Sequence, residues 1–368
     1  MTKILVTGAD GFIGKNLCIR AAERDYCVLQ LNRSHSISEL PAMLNGVDIV
    51  IHLAGVNRPL FDDEFITGNA DLTIALCNAI AVQPHKPILV FASSTQAIQS
   101  NTYGKSKLTA ENAMRALASQ HEVKTHIYRL PNVFGKWCKP NYNSVVATFC
   151  HNISQDLPIQ INDASRVLDL VYVDDVVNAF LKIITDDDRR VDQTVVPQYS
   201  ATLGELATLI KSFKESRITG VVEPVGTGFT RALYSTYVSY LSPQQFAYPL
   251  TKHADPRGEF VEMLKTQNSG QFSYFTAFPG VTRGGHYHHT KTEKFLVIRG
   301  HAKFGFRHII SNEQYEINTN GGVPQVVETV PGWTHDITNI GNNEMIVMLW
   351  ANEIFNRDLP DTIANNVR

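Results

Sequence analysis

The chain has 368 residues, 43% of them hydrophobic and 18% charged, with a formal net charge of -2. At about 150 residues per domain this is enough for two globular domains, each with a core of its own. A near-neutral balance leaves no electrostatic footprint for nucleic acid or a membrane surface as main partner, and no apolar run is long enough to span a bilayer. Five cysteines (18, 27, 77, 138 and 150), odd in number and without CxxC spacing, predict reduced and mostly buried thiols in a cytosolic protein. A metal site beyond residue 150 would therefore have no thiolate ligand.

Met1-Thr2-Lys3 leads straight into Ile-Leu-Val-Thr-Gly, a strand entering a turn rather than a signal peptide. Up to about residue 190, short apolar runs (Lys3–Thr7, Cys27–Leu31, Ile49–Leu53, Ile88–Phe91, Thr125–Tyr128) alternate with helical periodicity, as in Gly14–Arg24 and Lys105–Ser119. Apolar strands divided by helices predict a doubly wound parallel α/β sheet covered on both faces. Leu203–Phe213 adds a helical segment, and Ser242–Gln245 reads as a linker. Beyond it, short runs (Phe272–Phe278, Glu293–Ile298, Ala302–Phe306, Gln325–Val330, Met345–Trp350) recur between turn residues, with no convincing helix before the last few residues. That spacing predicts an all-β sandwich or barrel. Two domains follow, 1–243 and 244–368.

Gly8, Gly11 and Gly14 follow the first strand and open a helix. Gly8 suits the tight turn, Gly11 lets backbone approach a pyrophosphate, and Gly14 lets helix pack on strand. Asp10, Phe12 and Ile13 lie in the same turn and are candidate cofactor contacts. The second strand ends in Asn32-Arg33-Ser34, where an NAD site usually has a carboxylate for the ribose 2′-OH. A neutral side chain and a guanidinium favour the 2′-phosphate of NADP(H).

Tyr103 and Lys107 stand four residues apart on one predicted helix, hence on one face. A phenol is a poor proton donor near neutral pH, and a neighbouring ammonium would lower its pKa, suiting a general acid beside a hydride donor. Ser94, at a strand end, is the candidate second donor to the same carbonyl oxygen, with Ser93 the alternative.

With Ile51-His-Leu-Ala-Gly55, Asn69, Arg129-Leu-Pro-Asn-Val-Phe-Gly135 and Val171-Tyr-Val-Asp-Asp175, these motifs resemble the extended short-chain dehydrogenase/reductases acting on nucleotide sugars, over about residues 1–240. The resemblance implies a Rossmann-type domain with Leu53, Ala54 and Gly55 at the cofactor. By position it implies Asn132, Lys136 and Tyr142 at the sugar nucleotide. The arginine such enzymes often carry before the aspartate of the last motif is Leu168 here, and Arg166 is the nearby candidate for the pyrophosphate. Dehydratases of that family carry an Asp-Glu pair after the Ser/Thr. Thr95 and Gln96 follow Ser94, so the resemblance implies carbonyl reduction or oxidation instead.

In the second half, Gly280–Gly300 contains His286, His288 and Glu293. On a strand the two histidines share a face, and Glu293 can return from the next strand. Two imidazoles and a carboxylate suit a divalent cation, and His335 offers a fourth ligand. His289 would face solvent. The spacing resembles the cupin motifs, G(X)5HXH(X)4E(X)6G followed by Gly332-x-x-His335-x-x-x-Asn339, over about residues 255–352, and implies a jelly-roll barrel. Zn2+ is the first choice of metal, while Fe, Mn and Ni also suit the set.

A short-chain reductase followed by a cupin resembles the bifunctional enzymes of capsular polysaccharide synthesis. That resemblance implies a homodimer acting on a UDP-sugar. The cupin would epimerise C3 of a UDP-4-keto-6-deoxy-N-acetylhexosamine, with the base unassigned, and NADPH reduction at C4 would follow. Two other readings stand: a single-activity reductase with a dimerising cupin, and a non-enzymatic NADP sensor. The retained Tyr103 and Lys107 speak against the sensor.

Overall fold

Alternation of apolar residues along the early strands sends successive side chains to opposite faces of one sheet. Ile4 and Val6 of β1 (Lys3–Thr7) join one core with Leu17 and Phe180, whereas Leu5 joins another with Leu76 and Met114. The computed structural model describes residues 1–186, 188–250, 253–255, 258–260, 264–266, 270–353 and 358–368. It divides into two compact units, Met1–Phe134 with Leu168–Ser200, and Gly135–Val167 with Ala201–Arg368.

In the first unit, β1 is followed by α1 (Phe12–Ala22), β2 (Cys27–Leu31), β3 (Ile49–His52), α2 (Leu72–Ala81), β4 (Ile88–Ser94), α3 (Thr102–His121), β5 (Thr125–Leu130) and β6 (Asp192–Gln193). The strands form a six-stranded sheet in the order β2-β1-β3-β4-β5-β6, parallel throughout. Helices on both faces explain why the strands are apolar without interruption. The order reverses beside β1, and the turn after β1 lies at that switch point, where open α/β sheets bind ligands.

The second unit contains α4 (Leu203–Thr219), α5 (Gly228–Val238), β7 (Ala247–Pro249), β8 (Gln271–Ala277), β9 (Thr282–Tyr287), β10 (Glu293–Arg299), β11 (His301–His308), β12 (Gln314–Asn320), β13 (Gln325–Glu328), β14 (Trp333–Asn339), β15 (Met345–Ala351) and β16 (Ile363–Ala364). Two five-stranded sheets, β7-β13-β10-β15-β8 and β12-β11-β14-β9-β16, are antiparallel in every pairing. This is the jelly-roll arrangement of a cupin.

Three elements depart from the sequence reading. Helix α5 was not foreseen: from Ala232 to Val238 every residue is buried, so it shows no polar stripe. Strand β14 was read only as a motif, because Trp-Thr-His-Asp-Ile-Thr-Asn lacks a clean apolar alternation. The last residues pair as the short strand β16 and not as a helix. The junction expected near residue 245 falls inside the second unit, which holds α4 and α5 as well as the barrel.

Candidate active site and metal centre

The glycine turn is packed so that side chains do not fit. Gly8 has φ +69°, and a Cβ on it would lie 2.7 Å from the Ala54 nitrogen; a Cβ on Gly14 would lie 2.2 Å from the Gly8 carbonyl oxygen. Helix α1 begins after Gly11 with no side-chain cap, so its first N–H groups face the turn. An uncapped helix start behind a cradle that a Cβ would fill matches what a dinucleotide pyrophosphate requires, and the residues fit a nicotinamide cofactor.

Contacts run from this cradle to the Tyr/Lys pair. Gly8 abuts Ala54, and a Cβ on Gly55 would lie 2.7 Å from Asn69 Oδ1 and 3.3 Å from Lys107 Nζ. Lys107 is buried, donates to the Ala92 carbonyl (3.2 Å) and lies 4.9 Å from the Phe91 ring centre. Burial lowers its pKa to about 8 against the opposing pull of Glu111. Tyr103, one turn earlier, stacks obliquely on Phe65 at 5.5 Å and has Ser94 as a polar neighbour. Burial raises the phenol's pKa, and the nearby Ser94 hydroxyl only moderates this. The sequence reading expected acidification by the lysine; here the dominant influence is desolvation, and the phenol stays protonated at neutral pH. Ser93, the alternative to Ser94, is buried and donates to Glu111 (2.6 Å), which also pairs with Arg129 (2.6 Å). Its hydroxyl is engaged in the support of α3, away from Tyr103.

Below the pair lies a chain of hydrogen bonds that spacing alone does not reveal. Thr7 Oγ1 accepts from the Leu53 and Ala54 amides, so its proton goes to His52 Nδ1 at 2.6 Å. The opposite nitrogen, Nε2–H, then donates to Thr73 Oγ1 (2.9 Å), whose proton goes to the Asn69 carbonyl (2.6 Å). Burial holds His52 down to about 3, so the ring is neutral. Asn69 sits on a π-helical turn, and its side chain bonds both backbone groups of Val56 (2.8 and 3.0 Å) and Ser106 Oγ (3.0 Å).

At the end of β2, Asn32 Oδ1 accepts from the Ser34 amide (3.2 Å) and hydroxyl (2.6 Å), and Arg33 is exposed. The four candidate substrate residues divide between the units. Asn132, in the first, is exposed and donates to the Asp169 carbonyl (3.0 Å). In the second, Lys136 is 1% exposed with its ammonium 5.2 Å from the Trp137 ring centre, while Tyr142 and Arg166 are exposed.

The barrel brings its four candidate ligands together. One ligand atom from each of His286, His288, Glu293 and His335 lies within 4.8 Å of all the others. His286 on β9 pairs opposite His335 on β14, His288 follows β9, and Glu293 begins β10. Glu293 Oε2 lies 3.2 Å from His288 Nε2 and 3.4 Å from His335 Nε2; its other oxygen lies 2.9 Å from Lys291 Nζ. Burial, with His335 and His288 close by, lowers His286 to about 3. Burial likewise lowers His335. Burial opposes the charge on Glu293, but the adjacent His288 and His335 rings hold its pKa well below the usual range. Neither ring nitrogen of buried His335 has a well-directed hydrogen bond among the described residues. Three imidazoles, one of them lacking such a bond, gathered around an ionised carboxylate fit a divalent cation. His289, expected to face solvent, is 2% exposed, because the chain turns after β9 instead of continuing as a strand. A cavity of about 240 Å3 opens on His286, Glu293 and His335, walled by Phe275, Phe295 and Leu349, with Arg283 also on its lining.

Comparison with known proteins agrees with this architecture. Residues 4–196 match the NAD dependent epimerase/dehydratase family, and residues 253–363 match the polysaccharide biosynthesis C-terminal domain. A UDP-2-acetamido-2,6-beta-L-arabino-hexul-4-ose reductase of Pseudomonas aeruginosa is 54% identical over 367 residues, 99% of each chain. The crystal structure of the capsular polysaccharide assembling protein CapF from Staphylococcus aureus superposes with a TM-score of 0.68 at 41% identity, covering 99% of this chain and 100% of that one. A UDP-glucuronic acid 4-epimerase from Bacillus cereus, 19% identical with a TM-score of 0.53 over 58% of this chain and 84% of its own, shares the fold. No helix among the described residues is long and apolar enough to cross a membrane. With one family matched over more than half its length and a relative similar from end to end, the chain belongs to the NAD dependent epimerase/dehydratase family and carries a polysaccharide biosynthesis C-terminal domain.

Proposed function

We propose that the chain is a bifunctional nucleotide-sugar enzyme whose cupin, within residues 244–368, epimerises C3 of a UDP-4-keto-6-deoxy-N-acetylhexosamine. Residues 1–243 then reduce the C4 ketone with NADPH to give UDP-N-acetyl-6-deoxy-L-talosamine, a precursor of UDP-N-acetyl-L-fucosamine for capsule or O-antigen. The observation that carries the reductase half is the placing of Lys107 Nζ against Gly55, beside the Ala54 that abuts the glycine cradle, with Tyr103 one turn away on the same helix. The name of the Pseudomonas aeruginosa relative supports a 4-keto UDP-sugar as substrate. Asn32 and Arg33 support NADP over NAD, and the set of three imidazoles and one carboxylate supports Zn2+ at the cupin. A homodimer is part of the same reading.

When bound, the nicotinamide supplies hydride to the ketone carbon. Tyr103 holds a proton at its phenol oxygen and delivers it to the ketone oxygen, to which Ser94 also donates. Lys107, charged at neutral pH, offers positive charge where the phenolate would form. In the barrel, a cation held by His286, His288, Glu293 and His335 supplies Lewis acidity. The apolar walls of the cavity beside the cluster would exclude water from a sugar ring bound there.

The relative's name mentions reduction alone, which favours a second reading in which the metal is structural and the cupin only dimerises. Supplying the keto-sugar nucleotide in deuterated water without NADPH separates the two. Deuterium at C3 is expected, and no exchange rejects the epimerase. Glu293→Ala or His335→Ala protein with full overall turnover would establish the second reading.

A further inference from the structure

The loop 288–292 joins two of the four ligands, and a single carboxylate about seventy residues later in the chain pins it. Asp361 accepts from three successive backbone amides: His289 (2.9 and 3.2 Å), Thr290 (2.6 Å) and Lys291 (2.8 Å). The Thr290 hydroxyl adds a fourth bond at 3.0 Å. Three N–H groups curved around one anion make a backbone nest, here filled from within the chain. The same residue's carbonyl accepts from His288 Nδ1. That bond places the ring proton on Nδ1 and leaves Nε2, 3.2 Å from Glu293, with its lone pair directed at the cluster. The neighbouring residues grip the other flank: Ile363 and Ala364 pair with Tyr287 and His286, and the Asn365 amide donates to the Gly285 carbonyl (2.8 Å).

We propose that Asp361 is the positioning residue of the metal centre, so that the four-ligand set assembles only when segment 361–365 is docked on β9 and the ligand loop. The proposal rests on the metal reading above and adds to it a residue that no ligand motif contains. A role limited to closing the loop would change stability but not coordination.

Cobalt(II) is the probe, because its visible absorption reports both uptake and geometry. Full-length metal-free wild type, Asp361→Asn and Asp361→Ala are titrated with cobalt, with near-ultraviolet circular dichroism confirming the fold. Asp361→Ala keeps the backbone carbonyl that His288 meets but removes the carboxylate that docks the segment. With the segment undocked that outer partner is lost, which typically weakens affinity about 10–100-fold, and such a loss with an altered cobalt band is expected. Asp361→Asn, which keeps acceptor oxygen but not charge, is expected between the two, and it decides the matter if the alanine variant does not fold. Variants with wild-type affinity and band shape overturn the positioning role while leaving the metal reading intact. Wild type that takes up no cobalt overturns both.

Discussion

Burial and Glu111 pull the Lys107 ammonium in opposite directions, and burial is the larger influence, bringing its pKa to about 8. Two consequences follow with opposite signs. The ammonium is lost as pH rises through about 8, so NADPH-dependent reduction is expected to fall on that alkaline limb, read as kcat/KM against pH. Stability moves the other way. A lysine ordinarily titrates at 10.5, so between about 8 and 10.5 the unfolded chain binds a proton that the native chain does not. Wild type should therefore gain on Lys107→Met in thermal melts across that window, and a flat difference would sink the assignment. At Tyr103 the expectation is simpler. Tyr103→Phe removes the proton but not the ring packed on Phe65, so kcat should drop by about 10²–10⁴-fold with KM little changed. A variant turning over NADPH at the wild-type rate would show that another group carries the proton.

Elements show why some of this was legible beforehand and some was not. The strand, glycine turn and helix proposed to hold the cofactor are contiguous in sequence, so that candidate site could be read from residues 3–17. The candidate ligands His286, His288 and Glu293 were equally accessible, because they lie within eight residues, on or beside two consecutive strands. Asp361 was not, since its partners are backbone amides, which carry no residue signature and lie far away in sequence. Helix α5 was hidden for another reason: burial on all sides removes the polar stripe that marks a helix. Gly14→Ala tests the legible part. Its new Cβ would sit 2.2 Å from the Gly8 carbonyl oxygen, so α1 must lift from the turn. A loss of about 1–3 kcal/mol in urea unfolding is expected, along with weaker NADPH binding by fluorescence titration. Unchanged affinity would detach α1 from the cofactor site.

Across the whole second unit, the barrel is joined to α4 and α5 by buried charge. Glu328 on β13 accepts from Lys294 (2.5 Å), Arg217 of α4 (2.5 Å) and Tyr234 of α5 (2.9 Å), and Lys294 also reaches the Tyr248 hydroxyl (3.2 Å). Lys294 and Glu328 are each 1% exposed. Two cations share one carboxylate there, so Glu328→Gln leaves both without a counter-charge and should cost about 3–5 kcal/mol in denaturant unfolding of the full chain. Replacing Lys294 and Glu328 together by Met and Leu removes the more deeply buried of the two cations along with the carboxylate, leaves only Arg217 without its counter-charge, and should cost less. The same geometry bears on a chain cut at residue 244. Such a fragment keeps Lys294 and Glu328 but loses Arg217, Tyr234, and the Ser235 hydroxyl that donates to the Thr290 carbonyl (2.7 Å) on the ligand loop. Fragment 244–368 is therefore expected to melt at a lower temperature than the barrel does in the full chain, and to bind zinc more weakly by calorimetric titration. Equal melting and equal affinity would mean that the helices before residue 244 add nothing to the barrel or to its ligand loop.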